Sequence, residues 1–330
     1  MDGSKYEIPN TEKNKEEFGT ATGGKKTKET KKIARTLMSG AYDVYNKFFG
    51  DIQVDKVTTY EGKLAKKNIE ECLKINDKNK NLFVLDRNYP SIELYELLNE
   101  KNTKFVMRLS INDYIEEREK MKSNDEIIEI KYNRHRKHHF KKKNPEVYEK
   151  IKDKERIKLR IVNIKLETGE IESLITNILT NKFDIQDFSN IYHTRWKIEE
   201  SYNSLKNKLK IEKFTGKLPI FIYQDIYAQV LIYNQLQDML EEGNKLLCQK
   251  KKEKNLKHKY KINENKAIGL YKEKFIKIML IEDKELAIKE FDKLIEEMTK
   301  YVRIIRENRK NEKRIWNPSN KYHTNRGATF

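Results

Sequence analysis

One segment of the chain, residues 191–216, carries four side chains that could act together on a phosphate backbone. They are a phenol, two cations and a carboxylate, at Tyr192, Arg195, Glu199 and Lys206. At about 100° per residue these positions fall within roughly 60° of one another on a helix, beside an apolar stripe that would pack on a core. A carboxylate can hold Mg²⁺ and cations can bind phosphates, so this face favours a metal-assisted reaction on a nucleic acid. An ordinary amphipathic helix is the alternative, because 37% of the residues are charged.

The spacing of these four residues, Y-x2-R-x3-E-x6-K, resembles the signature of bacterial insertion-sequence transposases of the DDE type, specifically the insertion sequence four group. Two further segments are similar to that family. MDGSKYEIPNTEKNKEEFG contains Asp2, and NLFVLDRNYPS places Asp86 at the end of an apolar run. Three more segments are similar in the same order, at residues 34–52, at 173–179 and from 265 onward. The resemblance therefore spans nearly the whole chain.

The resemblance implies that Asp2, Asp86 and Glu199 are catalytic residues and metal ligands. In such enzymes two Mg²⁺ ions about 4 Å apart activate the attacking hydroxyl and stabilise the leaving oxygen, and Mn²⁺ can substitute. The implied function is phosphodiester cleavage and strand transfer in DNA transposition, a form of DNA recombination. The implied partner is double-stranded DNA, both transposon ends and target, bound by a homodimer.

The residues around the helix carboxylate can be given roles from their chemistry. Arg195 can form two hydrogen bonds with a phosphate, Lys206 supplies a compact positive charge, and Tyr192 can contact the DNA backbone near the cut. Trp196 has two interpretations: its ring stacks on a displaced base, or it packs the helix against the core. Of these, core packing is favoured. Glu200 lies about 100° around the helix from the preceding carboxylate, so it is a poor substitute ligand.

The charge balance predicts a polyanionic partner. The net charge is +18, from 70 Lys and Arg against 52 Asp and Glu, and the isoelectric point is near 9.4. Nucleic acid is the simplest such partner, although an anionic membrane surface or plain solubility would also explain the excess. The sequence has no apolar run of about 18 residues and no secretion signal, so we expect a cytoplasmic protein without membrane spans. Cys72 and Cys248 form no ligand or redox motif.

Hydrophobic patterning predicts an α/β fold. The apolar segments around Gly40 and Gly50 are typical of paired strands. Residues 82–86 form a short apolar run of the kind buried in a sheet, and 104–110 are the next predicted strand, with a helix near 92–100 between them. This order of a strand ending in Asp, a helix and a strand resembles the ribonuclease H-like core of DDE enzymes.

Four parts are expected along the chain. Residues 1–110 would form the first part of the catalytic core and 181–242 its remainder. Residues 111–180 would be a β-rich insertion between the second Asp and the catalytic Glu, and 243–330 an α-helical C-terminal region with a basic tail. Helical patterns follow the insertion at residues 189–210, 219–242, 263–281 and 284–308.

Three strands are predicted in the insertion, the last two as a hairpin that turns at Gly169: residues 126–132, 157–167 and 171–179. The basic run KYNRHRKHHFKKKN lies between the first and second of these strands and contains His135, His138 and His139. Their spacing suggests a metal site, but no Cys lies nearby and the flanking Lys and Arg residues would repel a cation. The run is therefore predicted as a solvated or DNA-facing loop.

The start of the chain departs from the family pattern. In similar enzymes the first Asp ends a central strand that follows a separate DNA-binding region, whereas only Met1 precedes Asp2 here. We therefore expect an N-terminally truncated chain in which Asp2 lacks its strand and is poorly held, because terminal residues fray. Such a chain would bind DNA without joining strands. A catalytically inactive DNA-binding remnant and a standalone nuclease are the alternatives to an active transposase.

Overall fold

The computed structural model describes residues 1–22, 32–75, 81–252 and 258–305, and the chain divides into two compact units between Asp238 and Met239. The strands of the first unit are β1 (Asp2–Glu7), β2 (Thr20–Thr22), β3 (Lys32–Asp43), β4 (Phe48–Lys56), β5 (Leu82–Leu85), β6 (Lys104–Arg108), β7 (Asp125–Lys131), β8 (Arg156–Lys165) and β9 (Ile171–Thr176). Its helices are α1 (Glu12–Phe18), α2 (Glu61–Ile75), α3 (Ile92–Glu100), α4 (Ile115–Glu119), α5 (Arg134–Lys143), α6 (Pro145–Ile151), α7 (Ile185–His193), α8 (Trp196–Ser204) and the first part of α9 (Pro219–Lys252). The predicted α/β class is confirmed.

A four-stranded antiparallel sheet is built around β3. Strand β1 pairs with one edge of β3, and β2 and β4 pair with successive parts of the other edge. The middle of β3, residues 36–41, is buried at every position, so this strand is covered on both faces. Gly40 is required there, because a Cβ at this position would lie 2.8 Å from the Phe49 ring and 2.9 Å from the Tyr202 hydroxyl. The strand pair predicted around Gly40 and Gly50 is therefore confirmed as β3 and β4.

A five-stranded sheet has the order β5-β6-β9-β8-β7, in which only β5 and β6 are parallel. The connection between β5 and β6 runs through α3, whose N-cap Ser91 accepts a hydrogen bond from the Leu94 amide. The predicted strand–helix–strand order at 82–110 is confirmed. The predicted hairpin of β8 and β9 is also confirmed. Gly169 lies in its turn with a φ of 87°, which glycine adopts readily. The strands of residues 111–180 thus extend the sheet of β5 and β6.

The prediction that the basic run is a loop is wrong, because Arg134–Lys143 form helix α5. The physical reason lies in the caps. Asn133 accepts a hydrogen bond from the Arg136 amide, and Asn144 begins the next helix with Pro145 at its first position. Lysine and arginine are good helix formers, and three lysines at the C-terminal end of α5 complement the helix dipole.

The prediction of one regular helix over 189–210 is also wrong. Helix α7 ends at His193, α8 begins at Trp196, and a π-helical turn covers Leu205–Leu209. Between α7 and α8 the amides of Thr194 and Arg195 bond three residues back, which is the tighter spacing of a 3₁₀ turn. The rotation per residue therefore varies along this segment, and a uniform 100° misplaces its last residues.

The expectation that Asp2 lacks a strand is wrong in the structure. Asp2 begins β1, where it is paired with Gly40 of β3. Its carbonyl accepts a hydrogen bond of 2.7 Å from the buried hydroxyl of Tyr202. The preceding residue is also anchored, since the Met1 nitrogen donates to the Val84 carbonyl of β5 at 2.7 Å. Asp2 is therefore held by the strand that follows it.

The second unit contains the remainder of α9, then β10 (Tyr260–Ile262), α10 (Glu264–Met279), α11 (Lys284–Met298) and β11 (Val302–Ile304). Strands β10 and β11 pair antiparallel, so the helix predicted over 284–308 stops early, and the helix predicted over 219–242 continues to Lys252. The predicted basic tail beyond residue 305 lies outside the described residues. None of the helices in the described parts of the chain is long and apolar enough to cross a bilayer.

Arg160 of β8 fixes the approach of α7 to the second sheet. Its guanidinium donates to Asp125 at 2.5 and 2.6 Å and to the carbonyls of Thr180 and Phe183. It also lies 5.0 Å from the centre of the Phe188 ring on α7. Because the side chain is only 5% exposed, removing it leaves the carboxylate and the carbonyls without their donor.

We therefore expect Arg160→Met to lower the free energy of unfolding by about 2–4 kcal/mol, measured by urea denaturation followed by circular dichroism. Arg156→Met is the matched control. It lies on the same strand, its side chain is 47% exposed, and it pairs with Glu129. It should cost less than about 1 kcal/mol. Equal effects of the two substitutions would show that Arg160 does not have this anchoring role.

Candidate active site

Two carboxylates from distant parts of the sequence pair with one guanidinium, and a third is bonded to a tyrosine beside it. Arg195 Nη2 lies 2.8 Å from Glu199 Oε1, and its Nη1 lies 3.7 Å from Asp2 Oδ2. On the preceding helix the Tyr192 hydroxyl donates to Asp86 Oδ1 at 3.4 Å. Arg195 also lies over the Tyr192 ring, 5.7 Å from its centre. The structure thus brings together five of the seven residues that the sequence analysis singled out.

Each carboxylate is positioned by a different secondary-structure element. Asp2 is the first residue of β1, and Asp86 follows the last residue of β5. Behind Asp86 the chain turns at once, because the Tyr89 amide bonds to the Asp86 carbonyl at 3.2 Å. Glu199 lies on the first turn of α8, four residues after Arg195, which is the helical spacing for an ion pair.

Burial and neighbouring charges shift the pKa values of Asp2 and Arg195 at this site. Burial raises the pKa of Asp2 from 3.8 to about 6, and the positive charge of Arg195 partly offsets this effect. Burial lowers the pKa of Arg195, but Tyr192, Asp86 and Glu199 more than compensate, so that its pKa is raised. Arg195 is only 6% exposed, and its Nε has no hydrogen-bond acceptor among the described residues. A buried donor without an acceptor is rare in folded proteins and fits a site that receives an oxygen from a ligand.

The family model for the transposase DDE domain matches residues 1–235, which is almost all of the first unit. The chain belongs to the transposase DDE domain family. Comparison with curated proteins gave no match. Members of the DDE transposase family act on DNA in transposition, and they use divalent metal ions.

The residues of this DDE domain fit a divalent ion by their chemistry. Carboxylate oxygens are the ligands that Mg²⁺ prefers, and Asp2, Asp86 and Glu199 together carry two more negative charges than Arg195 neutralises. As they stand, no three His, Cys, Asp or Glu side chains within the described ranges are close enough together to hold a metal. This includes the histidines of α5. Arg195 is instead the counter-charge between Asp2 and Glu199.

Two residues predicted for DNA contact in the DDE domain form no hydrogen bond or ion pair with the three carboxylates within the described residues. Lys206, on the π-helical turn, donates to the Lys5 carbonyl at 2.9 Å and lies over the Tyr6 ring. Burial lowers its pKa. Trp196 is 53% exposed, so the favoured interpretation of core packing is wrong. Its ring contacts the Arg195 guanidinium, 5.4 Å from the ring centre, and its outer part is open to solvent.

Tyr192, for which contact with the DNA backbone stays a prediction, lies inside the DDE domain. The side chain is buried at 3% exposure, and burial raises the pKa of its hydroxyl. It therefore orients Asp86 from within the DDE domain. The chemistry of a phenol allowed both roles, and only the packing of α7 distinguishes them.

Sequence reasoning missed a further carboxylate of the DDE domain, Glu61 at the start of α2. A Cβ on Gly3 would lie 2.9 Å from its Cδ, and its Oε2 accepts a hydrogen bond of 2.9 Å from the Tyr89 hydroxyl. Its negative charge also contributes to the raised pKa of Asp2, after burial. No residue spacing in the sequence could have identified Glu61, because only the packing of α2 brings it to the site. The one sequence signal is the glycine beside Asp2, which leaves room for it.

The raised pKa of Asp2 predicts a pH-dependent cost to stability. Since the folded state holds this proton more tightly than the unfolded state, the contribution of Asp2 to stability is lost as the pH rises from about 4 to about 6. We expect Asp2→Asn to remove that loss. Its free energy of unfolding should exceed that of the wild type by about 1–3 kcal/mol at pH 8 and be similar to it at pH 4.

The measurement is urea denaturation at a series of pH values. Asp153→Asn, which removes an exposed carboxylate, is the control and should follow the wild-type curve. A difference between Asp2→Asn and wild type that is the same at every pH would contradict the assignment.

Proposed function

We propose that the chain is the catalytic domain of an insertion-sequence transposase that cleaves and joins DNA strands with the help of Mg²⁺. The observation that carries this proposal is the pairing of Asp2 and Glu199 with Arg195, beside Tyr192, whose hydroxyl bonds to Asp86. Structural ion pairs need one partner for each charge. An excess of carboxylates in a partly buried place is costly unless a cation is bound there.

The roles of the residues follow from their positions. Asp2, Asp86 and Glu199 would hold the divalent ion, for which Mn²⁺ can substitute. When bound, the ion activates the attacking oxygen and stabilises the leaving oxygen of an in-line displacement. Tyr192 orients Asp86 through its hydroxyl. Arg195 carries a buried Nε donor that has no acceptor in the described part of the chain, which suits a phosphate oxygen of the DNA.

We further infer that the core is ribonuclease H-like and that the chain belongs to the insertion sequence four group with its Tyr-Arg-Glu-Lys signature. The antiparallel arrangement of β4, β3 and β1, and the parallel arrangement of β5 and β6, support the first inference. The Met1 contact with Val84 brings the start of β1 against β5. The pairing of Arg195 with Glu199 supports the second inference. As the resemblance implies, the DNA-bound form would be a homodimer.

The carboxylates can be tested by nicking of DNA that carries the ends of the element. We expect Asp2→Asn, Asp86→Asn and Glu199→Gln each to reduce Mg²⁺-dependent nicking at least about 100-fold, because a metal ligand contributes several kcal/mol to the reaction. Binding of the same DNA, measured by fluorescence anisotropy, should be retained. The wild-type chain is compared in the same assays.

Glu200→Gln is the matched control, since Glu200 is the exposed neighbour of Glu199 on α8. It should leave nicking nearly unchanged. Full activity of Glu199→Gln would overturn the assignment of the site. DNA binding without any nicking by the wild-type chain would favour the alternative of a non-catalytic DNA-binding protein.

Helix α5 supplies a second test, of DNA binding itself. Its sequence RHRKHHFKKK has six Lys and Arg residues and no acid, and all of its side chains are at least partly exposed. Lys142 and Lys143 have no ion-pair partner among the described residues. If both bind phosphates, Lys142→Gln with Lys143→Gln should lower the salt dependence of DNA binding by about two units in the slope of log K against log salt.

The control is Lys284→Gln with Lys289→Gln on α11. Both lysines are exposed, but that helix has five acids against three lysines, which would repel a phosphate backbone. The salt dependence of DNA binding by this control variant should match that of the wild type. An unchanged slope for the α5 variant would exclude this helix from the DNA-binding surface.

A further inference from the structure

Glu61 links the two strands that carry the catalytic aspartates. It is the first residue of α2, and its carboxyl group lies against the backbone of Gly3, the residue after Asp2. The contact is so close that a Cβ at Gly3 would lie 2.9 Å from Glu61 Cδ and 3.0 Å from Oε2. A side chain at position 3 would therefore displace the carboxylate.

The same carboxylate is tied to Asp86 through a single buried residue. The Tyr89 hydroxyl donates to Glu61 Oε2 at 2.9 Å, and the Tyr89 amide donates to the Asp86 carbonyl at 3.2 Å. The Tyr89 side chain is fully buried. The position of Asp86 and the position of Glu61 are thus coupled through one rigid ring.

A simple role at the start of a helix does not account for these contacts. A carboxylate in the first turn of a helix is stabilised by the helix dipole wherever it points. Glu61 instead points to the start of β1, and it pairs with no Lys or Arg in the described parts of the chain. It adds a further negative charge to a site where the buried Nε of Arg195 has no acceptor within the described ranges.

We propose that Glu61 is a positioning residue of the divalent-ion site, which holds Asp86 through Tyr89 and adds negative charge beside Asp2. This inference rests on the proposed function. Two effects of Glu61 are separable, since its charge attracts the cation over a distance and its hydrogen bond restrains the turn after Asp86. Groups behind the direct ligands of a metal commonly change its affinity tenfold or more.

The experiment is calorimetric titration of Mn²⁺ into the full chain without DNA. Glu61→Gln keeps the size and the acceptor for Tyr89 but removes the charge, and we expect it to weaken Mn²⁺ binding on the order of tenfold. Tyr89→Phe keeps the charge and removes the hydrogen bond, so it should weaken binding by a smaller factor. Glu12→Gln is the control, because Glu12 is likewise the first residue of a helix but is exposed and pairs with Lys15.

Urea denaturation without metal separates this role from a structural one. Removing a charge beside Asp2 should leave the stability of Glu61→Gln equal to or above that of the wild type, whereas loss of a structural contact would lower it. Unchanged Mn²⁺ affinity in Glu61→Gln and Tyr89→Phe, with weakened affinity in Asp86→Asn, would overturn this inference and leave the proposed function standing. Absence of Mn²⁺ binding and of nicking in the wild type would overturn both.

Discussion

The crowding of carboxylates around Arg195 is the constraint on which the rest of the first unit depends. Burial disfavours the charged form of a carboxylate, and the raised pKa of Asp2 records that cost, to which the nearby charge of Glu61 adds. The site persists because each acid is attached to an element that is stable for other reasons. Asp2 belongs to a strand paired along β3, Asp86 follows an apolar strand, and Glu199 is on a helix that packs on the core. The stability of these elements thus offsets the unfavourable free energy of burying the carboxylates.

Tyrosine hydroxyls make the connections between these elements. Tyr202 bonds to the backbone of Asp2, Tyr192 to the side chain of Asp86, and Tyr89 to Glu61. All three rings are buried. A phenol suits this purpose, because its ring adds to the core while its hydroxyl reaches a polar group at the edge of the core. The side chains of Asp86 and Glu61 and the backbone of Asp2 are therefore held from the apolar side.

The parts of the fold that the sequence predicts correctly are those where one local signal decides. The apolar run at 82–86, the Ser91 cap of α3 and the turn at Gly169 each predict their element without tertiary information. The errors occur where packing or capping decides instead. The two asparagines around α5 convert a basic run into a helix, and the junction at Thr194 and Arg195 divides a pattern that is continuous in sequence. The exposure of Trp196 and the contact of Glu61 with Gly3 likewise depend on residues that are distant in sequence. Residue spacing along one segment cannot predict such contacts.

The π-helical turn at Leu205–Leu209 bears on how this segment tolerates changes in length. A π turn holds one residue more than an α turn, so a single deletion there could be absorbed by a return to regular helix. The same deletion between Arg195 and Glu199 would rotate the carboxylate by about 100° and separate the pair. A change of length is therefore tolerated better in the π-helical turn than between Arg195 and Glu199.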